Sequence, residues 1–70
     1  MTNCLDPPEW KVAFADDEGI VTCGDYLGRF RFRGGGVIQI IWEEGPAPGP
    51  YYSRRQNAAR EACYKALGRR

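Results

Sequence analysis

Large apolar residues stand at every second position over 9–15, and β-branched residues fill 20–23. The same alternation returns over 26–33 and 37–42. Side chains on a strand point alternately to opposite faces, so this spacing indicates strands with one apolar side. Short segments rich in Gly and Asp separate the runs, as expected of tight turns. The pattern therefore predicts a four-stranded antiparallel sheet over 9–42, built from two hairpins.

The C-terminal part of the chain has helical periodicity instead. Small and apolar residues recur there every three or four positions. Ser53 and Gln56 match a capping box, in which each side chain bonds the other residue's backbone N–H. Gly68 supplies a stop signal. These features predict a helix over 53–68 whose alanine-rich side lies close against the sheet.

The remaining segments are connections. Residues 1–8 are predicted to form an irregular lead-in, and the proline- and glycine-rich stretch 43–52 a stiff loop. In the turn after the first strand, Gly19 is expected to take a positive φ. Seventy residues suffice for one small domain, 1–70. The predicted class is α+β, with the C-terminal helix packed on one face of the sheet.

The third predicted strand carries the most informative pattern in the chain. Arg29, Arg31 and Arg33 share one face, while Phe30 and Phe32 share the other. Two residues of strand rise place neighbouring guanidiniums about 7 Å apart. Guanidiniums bind carboxylates and phosphates through paired hydrogen bonds, so this arginine row is a candidate docking surface for an acidic partner.

Gln39 and Ile41 of the fourth strand are expected to lie on the same face as the arginine row. Exposed aliphatic groups beside arginine are typical of protein interfaces, which favours a protein partner. The alternative is a solvated face whose arginines pair with acidic side chains of the first hairpin.

Charge is unevenly distributed along the chain. Residues 1–27 hold six acidic residues and one lysine, whereas 28–70 hold nine basic residues and three acidic ones, although the whole chain has a net charge of only +1. This asymmetry suggests a partner with charged patches. The low total charge favours a protein over generic nucleic acid, because nucleic-acid-binding domains are usually strongly basic.

The cysteines Cys4, Cys23 and Cys63 are odd in number and lack close pairs, so no disulfide framework is expected. With no basic and apolar leader at the start, this cysteine usage predicts a cytoplasmic protein. No segment has the apolar length of a membrane span.

Without histidine or an activated nucleophile, we expect neither a metal site, a cofactor nor enzymatic activity.

Tyr51 and Tyr52 precede the helix cap. Tyr52 is a candidate to stack on a base or fill a groove of a partner. The alternative is a hydrophobic staple, in which a residue before the cap packs on the first helical turn.

The segment from Ser53 to Leu67 resembles the last helix of double-stranded-RNA-binding domains, with a serine and a basic pair at its start and a final Ala-Leu. The resemblance implies that the helix packs on a sheet through the residues Ala58, Ala62, Cys63, Ala66 and Leu67. It also implies that Arg54 and Arg55 contact phosphates, with Arg60 as a further candidate. The family's first helix has no counterpart here.

Together these features predict a small non-enzymatic binding protein of the inhibitor or adaptor type, which docks its arginine face on an acidic surface of a larger complex. Size and class suggest a phage or mobile-element inhibitor of a nucleic-acid-handling complex. The alternative is a direct DNA- or RNA-binding module that uses the same arginines together with Arg54 and Arg55. A homodimer that pairs through an exposed strand edge is a third hypothesis.

Overall fold

A computed structural model describes residues 4–43 and 48–68 of the chain. Each strand pairs antiparallel with the next one, so the sheet is a meander in the order β1-β2-β3-β4, with one helix after it. The predicted α+β class is thus confirmed. The elements are a 3₁₀ helix (Pro7–Glu9), β1 (Lys11–Ala15), β2 (Glu18–Cys23), β3 (Tyr26–Gly34), β4 (Val37–Trp42) and α1 (Arg54–Leu67).

Two-residue turns join all three pairs of neighbouring strands, which makes three hairpins where the sequence suggested two. The prediction of a positive φ at Gly19 was wrong, because Asp16 takes that conformation, with φ 59°. Gly19 instead lies within β2, where an added Cβ would come 2.6 Å from the Cα of Phe14. Aspartate tolerates the left-handed region, so the turn needs no glycine.

The helix α1 covers one face of the sheet, called here the inner face. Phe30 is buried on this face, and Phe32 is half-buried with its ring edge-on to that of Tyr64 at 6.3 Å between centroids. The phenylalanines therefore lie under the helix, as predicted. The rest of the core combines Trp10, which precedes β1, with large strand residues and small helix residues: Val21, Ile38, Ala58, Ala59, Ala62 and Cys63. The small helical side chains let α1 approach the sheet closely.

The helix begins at a cap that also fixes the preceding loop. The Oγ of Ser53 accepts a hydrogen bond from the backbone N–H of Gln56 at 3.2 Å, as the capping box predicts. The reciprocal bond is not made: the Gln56 side chain donates to the carbonyl of Gly49 at 2.7 Å. The N–H of Ser53 donates to Pro50 instead. These bonds hold residues 48–53 against the helix, while residues 44–47 of the predicted loop lie outside the described residues.

The cysteine prediction was wrong, because Cys4 and Cys23 form a disulfide with their Cα atoms 6.0 Å apart. Both are buried, and the carbonyl of Cys4 accepts a hydrogen bond from the ring N–H of Trp10 at 3.1 Å. The segment before β1 is thus joined to the end of β2. The predicted lead-in contains the short Pro7–Glu9 helix, so the sheet begins at Lys11 and not at residue 9.

Candidate docking face

The face of the sheet opposite α1 is called here the outer face. Strand register places its side chains in rows across the sheet, because directly paired residues share a face. One row runs Ile20, Arg29 and Ile41 across β2, β3 and β4. The next row runs Glu18, Arg31 and Gln39. The predicted site residues of β3 and β4 therefore do lie together.

The arginines of the outer face are well exposed. The side chain of Arg29 is 68% exposed and that of Arg31 is 60% exposed. Arg33 also faces solvent. It lies where the pairing of β3 with β4 shifts in register, between Phe32 and Gly34. Such a bulge bends and twists a strand locally. The arginine row is thus straight over its first two members and displaced at its third.

Each of these arginines has a polar neighbour on the same face. The guanidinium of Arg31 lies 3.6 Å from the carboxylate of Glu18, which belongs to the first hairpin. That contact is the pairing proposed as the alternative to a docking role. Arg29 lies 3.6 Å from a different carboxylate, that of Glu43 just after β4. Arg33 donates a hydrogen bond of 3.1 Å to the side-chain oxygen of Gln39.

These ion pairs leave the guanidiniums able to bind a partner. Exposed pairs of this kind contribute roughly 0–1 kcal/mol, so exchanging one for a partner carboxylate requires little energy. A guanidinium has five N–H donors, and one carboxylate can accept only part of them. The pairs therefore orient Arg29 and Arg31 without neutralising the face completely.

Aliphatic side chains lie between the charged ones. Ile41 is 60% exposed, Val37 is 54% exposed, and Ile20 is also exposed. Ile20 and Ile41 line, with the arginines, a shallow open depression of about 400 Å³. Ile41 was predicted on this face, whereas the position of Ile20 follows only from the pairing of β2 with β3.

Tyr51 was not among the predicted site residues, but it extends the outer face at the β4 edge. It lines a second depression, of about 460 Å³, together with Arg33, Val37 and Gln39. The Arg60 guanidinium lies 4.1 Å from the ring centroid of Tyr51, a cation–π arrangement, and also donates to the Tyr51 carbonyl. No local sequence signal joins residues nine positions apart in this way.

The other predicted residues lie elsewhere. Tyr52 is exposed and forms no hydrophobic staple, because the helical position that it would contact is the polar Asn57. Arg54 and Arg55 are exposed in the first turn of α1. Since α1 covers the inner face, the structure does not bring these two arginines together with Arg31 and its neighbours.

The described residues contain few groups with unusual chemistry. Cys63 is a buried free thiol, and burial raises its pKa to about 12, which makes it a poor nucleophile at neutral pH. In residues 4–43 and 48–68, no three His, Cys, Asp or Glu side chains gather where they could hold a metal ion. Within the same ranges, the structure has no helix of the length and apolarity needed to cross a bilayer.

Comparison with protein-family models, with curated proteins and with solved structures gave no significant match for this chain. The geometry of the outer face is therefore the basis for its proposed role.

Proposed function

We propose that the protein is a non-enzymatic binding protein of the inhibitor or adaptor type, whose outer face docks on an acidic surface of a larger protein. The observation that supports this proposal is the composition of a sheet face that α1 leaves uncovered. Exposed arginines alternate there with exposed Ile20, Val37 and Ile41. Core positions of protein interfaces combine apolar and arginine side chains in this way.

Charge complementarity favours one class of partner. The described side chains of the outer face include the three arginines of β3 and Lys11, against Glu18 and Glu43. A partner carboxylate can join or replace either glutamate, while apolar groups of the partner cover the isoleucines. A phosphate backbone would meet those glutamates as like charges, and it would gain nothing from the isoleucines. The outer face therefore suits an acidic, partly apolar protein surface.

The test uses a defined probe, a synthetic peptide of alternating glutamate and leucine, and two matched variants. Arg31→Glu and Arg55→Glu each exchange one exposed arginine for glutamate, so both change the net charge equally, but they lie on opposite layers of the molecule. Binding is measured by titration, with amide chemical shifts to locate the peptide. We expect Arg31→Glu to weaken binding by about tenfold or more, and Arg55→Glu to change it little.

Duplex RNA and DNA, titrated at two salt concentrations, test the alternative. If duplex RNA binds, weakens steeply with salt and depends on Arg55 more than on Arg31, the nucleic-acid hypothesis and the resemblance of α1 to the RNA-binding helix are supported. Two results would reject the outer face as the docking surface. One is that the peptide changes the amide chemical shifts of α1 and the inner face instead; the other is that the two variants lose equal affinity for the peptide.

The disulfide bears on the compartment in which this binding takes place. The cytoplasmic prediction depended in part on unpaired cysteines, and the Cys4–Cys23 bond removes that part of its basis. Structural disulfides persist mainly in oxidising compartments. We therefore propose that the protein acts in an oxidising environment. Rapid acid quenching and alkylation of cells that make the protein should find one reactive thiol per chain after denaturation, and three would contradict this proposal.

A further inference from the structure

The two edges of the sheet differ in their surroundings. Beside β4, Tyr51 lines a depression together with Val37 and Gln39, at the end of the connection that leads to α1. At the edge of β1, Pro7 lines a depression together with Val12, but among the described residues the backbone of this strand pairs with β2 alone. All but one of the side chains of β1 are exposed, and the strand contains no proline. A free edge of this kind is a template for another strand.

We propose that the strand which pairs with β1 is β1 of a second copy of this chain. Antiparallel pairing about a two-fold axis through Ala13 would join two four-stranded sheets into one of eight strands. The proposal concerns an edge that the docking of an acidic protein does not use. It therefore stands or fails separately from the proposed function.

Backbone geometry selects the register of this pairing. A two-residue turn closes on the pair Ala15 and Glu18, which exchanges both hydrogen bonds, and hydrogen-bonded pairs alternate along an antiparallel ladder. Val12 and Phe14 of β1 therefore direct their N–H and C=O groups towards the free edge. Centring the pair on Ala13 places Val12 of one copy opposite Phe14 of the other, twice, and uses all five residues of the strand.

Shape supports the same register. Phe14 lies on the inner face, but its side chain is 48% exposed and is not part of the core cluster. Around Val12 there is an open depression of about 310 Å³, lined mainly by apolar groups such as Pro7 and Ala66, together with Lys65. The register through Ala13 places the ring of Phe14 from the second copy beside Val12, at this depression. Each copy thus supplies one exposed Phe14 ring and one depression around Val12.

Charge also favours antiparallel self-pairing. Lys11 begins β1, whereas Asp16 follows it and Glu18 begins β2. In the proposed register Lys11 lies opposite Ala15 of the second copy, whose small side chain leaves the outer face open towards Glu18 of that copy. Lys11 and Glu18 of the second copy would then lie two strands apart, about 10 Å, where opposite charges still attract weakly. A parallel arrangement would place Lys11 beside Lys11.

The two-fold axis stands perpendicular to the sheet, so both outer faces would point to the same side. The dimer would then present two arginine rows on one continuous surface and both copies of α1 on the opposite one. A contact of five residues a side is small for a protein interface, so we expect dissociation in the micromolar to millimolar range.

Cross-linking of two matched cysteine variants tests the register. Ala13→Cys and Ala15→Cys each add one exposed thiol to the outer face of β1. Across the proposed axis the two residues 13 lie about 4.5 Å apart between Cα atoms, within the range for a disulfide. The two residues 15 lie about 14 Å apart, which is too far. Cys63 does not compete, because its thiol is buried and remains protonated.

Under mild oxidation we expect Ala13→Cys to form a covalent dimer and Ala15→Cys to stay monomeric, as judged by non-reducing electrophoresis and peptide mapping. Sedimentation of the unmodified chain should show a monomer–dimer equilibrium between micromolar and millimolar concentration. A chain that stays monomeric throughout this range, or two cysteine variants that cross-link equally, would overturn the proposal.

A second pair of variants keeps the test independent of cysteine chemistry. Phe14→Ser should weaken dimerisation by about tenfold, because it removes the ring that fills the depression around Val12 of the other copy. Ile41→Ser, at a comparably exposed apolar residue of the outer face, should leave dimerisation unchanged. A dimer that Ile41→Ser disrupts and Phe14→Ser does not would place the contact on the outer face and contradict pairing through β1.

Discussion

The inner face of the sheet carries Phe30 and Ile38 under α1, whereas the outer face carries Ile20 and Ile41 in contact with solvent. The same strands supply both faces, and similar aliphatic residues occur on each. The two faces differ in what packs against them. The helix α1 covers the inner face, whereas no element among the described residues covers the outer face. Apolar side chains on the inner face therefore stabilise the fold, while those on the outer face are available to a partner.

The largest expected difference between the faces is in stability. Phe30→Ala should lower the free energy of unfolding by about 3–5 kcal/mol, because it leaves a cavity under α1. Ile41→Ala should change it by less than about 0.5 kcal/mol, because the side chain is already in water. Urea denaturation followed by circular dichroism measures both. Similar losses in the two variants would mean that the outer face is covered as well.

Removing the disulfide is expected to have the next largest effect. The bond closes a loop with a sequence separation of 19 residues on the inner side of the molecule. The double variant Cys4→Ala with Cys23→Ala should lose about 3 kcal/mol of stability, since the unfolded chain regains the freedom of that loop. Thermal unfolding of the oxidised and reduced wild-type chain provides the control. An unchanged midpoint on reduction would contradict the bond.

The free cysteine of the inner face predicts a smaller effect that depends on pH. Burial raises the pKa of Cys63 from 9.0 to about 12, so above pH 9 the unfolded chain releases a proton that the folded chain retains. Stability should therefore fall as pH rises from 9 towards 12, by about 1 kcal/mol between pH 9 and pH 10. Comparing urea midpoints of wild type and Cys63→Ala across this range isolates the contribution. A parallel decline in both chains would assign it to other groups.

The smallest expected effect lies on the outer face. Arg31→Gln removes an exposed ion pair with Glu18, and it should change the free energy of unfolding by less than about 0.5 kcal/mol. Its effect on binding of the acidic peptide should be far larger than its effect on stability. Equal and large losses of both would show that the pair with Glu18 is structural.

Local patterns were sufficient to predict much of this arrangement. Strand alternation predicted that Phe30 lies on the opposite face from Arg29 and Arg31, because side-chain direction depends only on position along the strand. The cap at Ser53 and the stop at Gly68, which has φ 72°, also follow from neighbouring residues alone. These features were therefore predicted with nearly correct boundaries.

The features that were missed depend on residues far apart in the chain. Cys4 reaches Cys23 only because the segment before β1 brings it to the end of β2, beside the start of β1. The contact of Tyr51 with Arg60 depends on how residues 48–53 approach the helix. The partner of Arg29 is Glu43, whose position depends on the pairing of β3 with β4. Alternation and periodicity carry no information on such contacts.

The meander also sets how quickly the sheet can assemble. Every strand pairs with its neighbour in sequence across a two-residue turn, so each hairpin closes a very short loop. Isolated hairpins of this kind form within about 1–10 μs, far faster than sheets whose pairings span the whole chain. We therefore expect the four strands to pair first. The docking of α1, which follows the proline-rich connection, should then limit the folding rate.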